Sequence, residues 1–257
     1  MSKFVEWKCR YFDTAHISAG TYPAGGTLAK FFRDDPSVNR ESITDKNERE
    51  LVDQLFTQYE FRALLFPELG LRPDSFYRTH VTTPLIDDPQ EKPGDIDVLI
   101  CERERPDEAV ALECKRVKVV AVSAVDDDLN KVHDIKDGAA QTKAMATRMR
   151  FHRTFLAILV QVDGRNRRDF NTLMRGLNPR ATFDGEQTTL KRIYEFPQSG
   201  MFHEDVGFVF IEVIQPTGKS FEDNGGICLR VHKNAKRLAQ PDNLTNRISS
   251  IIGEVTP

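Results

Sequence analysis

The sequence predicts an α/β protein, a mixed central β-sheet flanked by helices, forming one domain over residues 46–257 behind an N-terminal extension of residues 1–45. Three observations lead there. Apolar residues recur at helical spacing over 46–66. Two Val/Ile/Leu-rich runs, GDIDVLIC (94–101) and VALECKRVKVV (110–120), flank the polar stretch ERERPDEA. A nearly continuous apolar run, FLAILVQVD (155–163), lies between helical and further strand-like segments.

Taken in order, residues 1–45 scatter Trp7, Phe12, Phe31 and Phe32 around the Gly/Pro-rich SAGTYPAGG. Such aromatics are costly to leave in water, so this extension is expected to pack on the main body. Over 46–66, Leu51, Val52, Leu55, Phe56, Tyr59, Ala63 and Phe66 predict one helix, stopped by Gly70 and Pro73. The two apolar runs that follow read as a hairpin with its loop centred on Pro106 and Asp107. Acidic VDDDLN (125–130) reads as a solvated loop, and 136–151 as a second helix weakened in its first turn by Gly138. Residues 155–163 read as a strand buried on both faces. An irregular Arg-rich stretch spans 164–195, strands are expected at 206–214 and 226–232, and a helix at 243–252.

Composition narrows the function. Of 257 residues, 39% are apolar and 29% charged, enough for a core under a solvated surface. Lys+Arg total 36 against Asp+Glu 39, and a net charge of −3 excludes a uniformly basic binder of nucleic acid or membrane. No window approaches a transmembrane span and MSKFVEWKCRYFD has no apolar secretory core, so a cytoplasmic protein without membrane partners is expected. Cys9, Cys101, Cys114 and Cys228 form no CxxC pair, which argues against a zinc knuckle or a disulfide scaffold. The six histidines form no HExxH, PAGGTLAK lacks the GK[ST] ending of a P-loop, and no serine-nucleophile elbow is present.

The chemistry concentrates in PGDIDVLICERERPDEAVALECKRVKV. Strand alternation puts Glu113 and Lys115 on one face with Cys114 opposite, and puts Asp95 and Asp97 on one face opposite Ile96 and Val98. Pairing the two runs brings two acids beside a Glu and a Lys within an apolar sheet. Charges in such surroundings need partners or a metal. Converging carboxylates repel, and a hard divalent cation relieves that, while an adjacent Lys can orient a water or stabilise charge on a phosphoryl oxygen. The bland alternative is a set of cross-strand ion pairs with Arg103, Arg105 and Arg116, and the apolar density of both runs weighs against it.

This segment resembles the core of the PD-(D/E)XK nuclease superfamily, whose pattern is a helix bearing an acid, an Asp on one strand, E-x-K on the next, then a helix and more strands. Asp97 matches the motif's Asp, with Asp95 as the other acid of the G-D-I-D string, and Glu113 and Lys115 match E-x-K. The matching core spans about 46–163. The resemblance implies a restriction-endonuclease-like fold and Mg²⁺, or Mn²⁺ in its place, held by Asp97, Glu113 and the Cys114 carbonyl. It implies that Lys115 helps activate or place the attacking water, and the expected activity is phosphodiester hydrolysis of DNA, with RNA left open.

Many members add a helix Glu. At 100° per residue, with Glu48 at 0°, Val52, Leu55, Tyr59 and Phe66 fall within about 40° of it, whereas Glu50 lies near 200°. Glu48 therefore shares the sheet-facing stripe, although an acid in a first helical turn is also favoured by the helix dipole. Some branches carry a Gln on the helix after E-x-K, and Gln141 stands there. Between 143 and 193, eleven Lys/Arg oppose four Asp/Glu, a local charge of +7. Arg165, Arg167 and Arg168 in this strip are the candidate phosphate contacts. The alternative is a module that binds nucleic acid or protein without cleaving, and a second copy or a partner subunit stays open.

Overall fold

The computed structural model describes residues 8–11, 47–82, 96–119, 128–163, 202–215 and 226–254. The first helix, α1 (Glu48–Thr57), begins at a reciprocal cap: Asn47 accepts from the Glu50 amide at 2.9 Å and the Asn47 amide donates to Glu50 Oε2 at 3.0 Å. The apolar period predicts one helix through residue 66, but the chain breaks at Gln58, which is extended, and restarts as α2 (Tyr59–Glu68). The Arg62 guanidinium explains the break. It donates to the carbonyls of Phe56 at 2.5 Å and Thr57 at 2.9 Å, which an unbroken helix would spend on its own ladder. Phe61 then meets Phe56 edge to face at 5.2 Å. Tyr59 leaves the buried stripe and is 54% exposed.

The sheet contains seven strands: β1 (Lys8–Tyr11), β2 (Phe76–Val81), β3 (Ile96–Glu102), β4 (Arg105–Val119), β5 (Arg153–Asp163), β6 (Gly207–Gln215) and β7 (Gly226–Lys233), in the order β1-β7-β6-β5-β4-β3-β2. β4, β5 and β6 are mutually parallel and the outer pairs antiparallel, so the sheet is mixed. Part of the N-terminal extension thus supplies an edge strand. The β3–β4 turn lies at Arg103–Glu104 rather than at Pro106 and Asp107. Pairing shifts between Ile100↔Val110 and Glu102↔Arg105, so Pro106 and Asp107 occupy a bulge of β4. Proline has no amide hydrogen for the ladder and is tolerated at such a bulge.

After β4 comes α3 (Asp128–Ala144), which runs into a wide turn at Met145–Met149 and stops at left-handed Arg150. It starts eight residues before the expected 136, taking in part of the acidic run. Its buried stripe, Ile135, Ala139, Thr142, Met145 and Met149, already begins at 135, so the helix must too. The C-terminal helix α4 (Asp242–Glu254) buries Leu244, Ile248, Ile251 and Ile252.

Two layers cover the sheet. α1 and α2 pack Leu51, Leu55, Phe56, Leu65 and Phe66 on Val98, Ile100, Val110, Leu112, Cys114, Phe155 and Ala157. On the opposite face, α4 and the end of α3 cover Leu99, Cys101, Ala109 and Ala111. β4 has 15 residues and β3 only 7, and their pairing ends at Val98↔Leu112. Among the described residues β4 is laddered from Glu113 onward to β5 alone, which leaves its other edge without a described strand. Among the described residues, no helix is long and apolar enough to cross a membrane.

Candidate active site

That open edge gathers the predicted residues. In an extended strand a residue's N–H and C=O point to the same side. The amides of Cys114 and Arg116, two residues apart, share one side of β4, and their acceptors show that it is the edge that β3 leaves uncovered. Carboxylates satisfy both: Asp97 Oδ2 accepts from the Cys114 amide at 2.7 Å and Glu48 Oε2 from the Arg116 amide at 2.6 Å. The Cys114 carbonyl leaves the strand on this same edge, between the two. Its thiol instead points into the α1/α2 core, where burial pushes its pKa well above the ordinary value.

Glu113 and Lys115 project to the α3 face. Glu113 is 2% exposed, and its Oε1 lies 2.7 Å from Lys115 Nζ, which is 3.7 Å from Glu48 Oε1. The other Glu113 oxygen, Oε2, is buried with no hydrogen-bond partner among the described residues. An orphaned carboxylate oxygen is expensive, and the titration reflects that. Burial first, and the Asp97 charge second, push Glu113 up to about 8 against the pull of Lys115. Burial also raises Asp97, against the Cys114 amide and Lys115. Burial works against the Lys115 ammonium, yet Glu113, Glu48 and Asp97 outweigh it and hold its pKa above the ordinary value.

Among the described residues no group of three or more His, Cys, Asp or Glu side chains could by itself hold a metal ion. The oxygens here are of another kind: carboxylates of Asp97 and Glu113 plus the Cys114 carbonyl. Hard donors with one unsatisfied buried oxygen suit a small divalent cation that keeps several waters.

Two further residues shape the site and carry no mark in the sequence. Gly138 lets α3 approach Lys115, since a Cβ there would stand 2.6 Å from Lys115 Cγ and 2.9 Å from Leu156 Cδ1. Gly138→Ala should therefore lower stability by about 1–3 kcal/mol through overpacking, despite gaining about 1 kcal/mol in helix propensity. Thermal melting checks it, and a raised Tm would show that α3 yields freely. The other residue is His80, opposite Asp97 across β2 and β3 in the register set by Thr79↔Val98 and Val81↔Ile96.

The structure thus brings together Asp97, Glu113, Cys114, Lys115 and Glu48. Gln141 is exposed, one turn beyond Gly138 on α3. Asp95 and the strip residues Arg165, Arg167 and Arg168 lie outside the described residues. Arg153, counted within that strip, is buried and donates to the Leu69 carbonyl at the end of α2, so it is structural. The even alternation expected of Ile96 and Val98 also fails: Ile96 packs on the α4 face and Val98 on the α1/α2 face. Comparison with family models, with curated proteins and with solved structures finds no match for this chain.

Proposed function

We propose that this chain is a metal-dependent nuclease of the PD-(D/E)XK type that hydrolyses phosphodiester bonds of DNA on a restriction-endonuclease-like core. The observation that carries this reading is the convergence of Asp97, Glu113, Lys115 and Glu48 on one open strand edge, with Glu113 Oε2 buried and unpartnered. Asp97, Glu113 and the Cys114 carbonyl would hold Mg²⁺ or Mn²⁺. When bound, the cation supplies neutralisation of phosphate charge and polarisation of water. The chain's own groups do the rest. Lys115, fixed by Glu113 and Glu48, presents an N–H to hold the attacking water or the developing phosphoryl oxyanion. As water adds to phosphorus and the ester P–O bond breaks, Glu48, the carboxylate beside Lys115 with an exposed side, can take up the water's proton, and the leaving oxygen takes a proton from solvent. Gln141 lies on the adjoining helix, and Arg165, Arg167 and Arg168 are the candidate phosphate grips.

A second reading, a binding module without cleavage, draws on the two amide caps, since Asp97 and Glu48 would perform that service without any cation. One assay separates them: supercoiled, linear and single-stranded DNA and a single-stranded RNA, each with Mg²⁺ or Mn²⁺ and with EDTA. Cleavage of DNA that EDTA abolishes is the expected result. Intact substrates in every arm would leave the binding module.

A further inference from the structure

β2 and β3 both change face at one point. Tyr77 packs toward α1 and α2, so alternation places Val81 there too, yet Val81 lies on the α4 face with its partner Ile96. The residues at the switch are His80 and Asp97. His80 has φ of +51°, a left-handed conformation that is strained for a non-glycine residue and persists only where its surroundings enforce it. Its imidazole is 9% exposed and Nε2 stands 3.0 Å from Asp53 Oδ1, a close polar contact rather than an aligned hydrogen bond. Asp53 belongs to α1, about a turn and a half beyond Glu48.

We propose that His80 is a positioning residue: from its kink opposite Asp97 the imidazole pins Asp53 to the sheet, and so sets the reach of Glu48 to Lys115 and to the Arg116 amide. No other described ion pair links α1 to β2. α1 is otherwise seated by the apolar contacts of Leu51, Val52, Leu55 and Phe56 and, at its first turn, by the Glu48 contacts themselves. As a contribution to hydrolysis the proposal rests on the nuclease reading; as a statement about α1 it does not.

The test therefore uses two readouts on the full chain, amide-resolved hydrogen exchange at Arg116 and steady-state cleavage with Mg²⁺. His80→Gly accepts the kink without strain but lacks the imidazole. It should speed Arg116 exchange about tenfold by loosening the Glu48 cap and lower kcat about tenfold with KM unchanged. Asp53→Ala, at a half-exposed helix position that does not endanger folding, should do the same. His80→Gln, which restores an N–H at the reach of Nε2, should recover most of both. Wild-type Arg116 exchange in His80→Gly and Asp53→Ala would overturn the proposal. Altered exchange in a protein that cleaves nothing would uphold the positioning of Glu48 and reject the nuclease instead.

Discussion

Lys115→Ala is expected to lower DNA cleavage by about 10²- to 10³-fold, the loss typical of removing one donor aimed at developing charge. Mn²⁺ binding should stay within a few-fold, because Asp97, Glu113 and the Cys114 carbonyl are untouched. The split follows from the geometry: the ammonium is held by Glu113 at 2.7 Å and Glu48 at 3.7 Å and is placed beside the cation's donors without belonging to them. Single-turnover cleavage and calorimetric Mn²⁺ titration measure the two halves. Undiminished cutting would remove Lys115 from the mechanism, and lost Mn²⁺ binding would show that the lysine organises the donors rather than the reaction.

Glu113→Gln is expected to abolish cleavage and to flatten the pH dependence of stability. The folded protein keeps the Glu113 proton up to about pH 8, whereas the unfolded chain releases it near the ordinary 4.5. Between those values the native state binds more protons, so stability is present below the window and is lost as pH rises through it. At about 1.4 kcal/mol per unit, the loss amounts to a few kcal/mol. That lowers the metal-free Tm by roughly 2–4 °C for each kcal/mol in a chain of this size. The glutamine variant should show little of this fall between pH 5 and 8, and Mg²⁺ should raise the wild-type Tm at pH 8 but not the variant's. Parallel pH profiles for the two proteins would mean that Glu113 is already ionised in the empty site.

The β3–β4 pairing was legible because both runs are strongly apolar, but its register was not: a loop centred on Pro106 and Asp107 sets the strands three residues off the observed Val98↔Leu112. The parallel core was legible for the same reason at FLAILVQVD. What alternation could not reveal is where it inverts. His80 carries only a weak residue-type signal for a left-handed kink, far less than glycine would have given. The break at Gln58 was hidden because the apolar period continues through it, and only the three-dimensional reach of Arg62 decides the matter. Gly138 looked like a weak helix start when it is the contact between α3 and Lys115. Glu48 could be placed on the right stripe by angle alone, but its role as a cap on β4 depends on how far β4 outruns β3.

The pairing of β1 with β7 bears on the order in which the protein comes into being. Among the described strands, Lys8–Tyr11 has Gly226–Lys233 as its neighbour. At roughly 5–20 residues per second of synthesis, β1 therefore precedes that partner out of the ribosome by some tens of seconds. The residues of the site, from Glu48 to Gln141, and the strand that backs them, Arg153–Asp163, all emerge inside that interval. This half can thus begin to assemble while the sheet still lacks that border, and β1 is set in place only once β7 has followed.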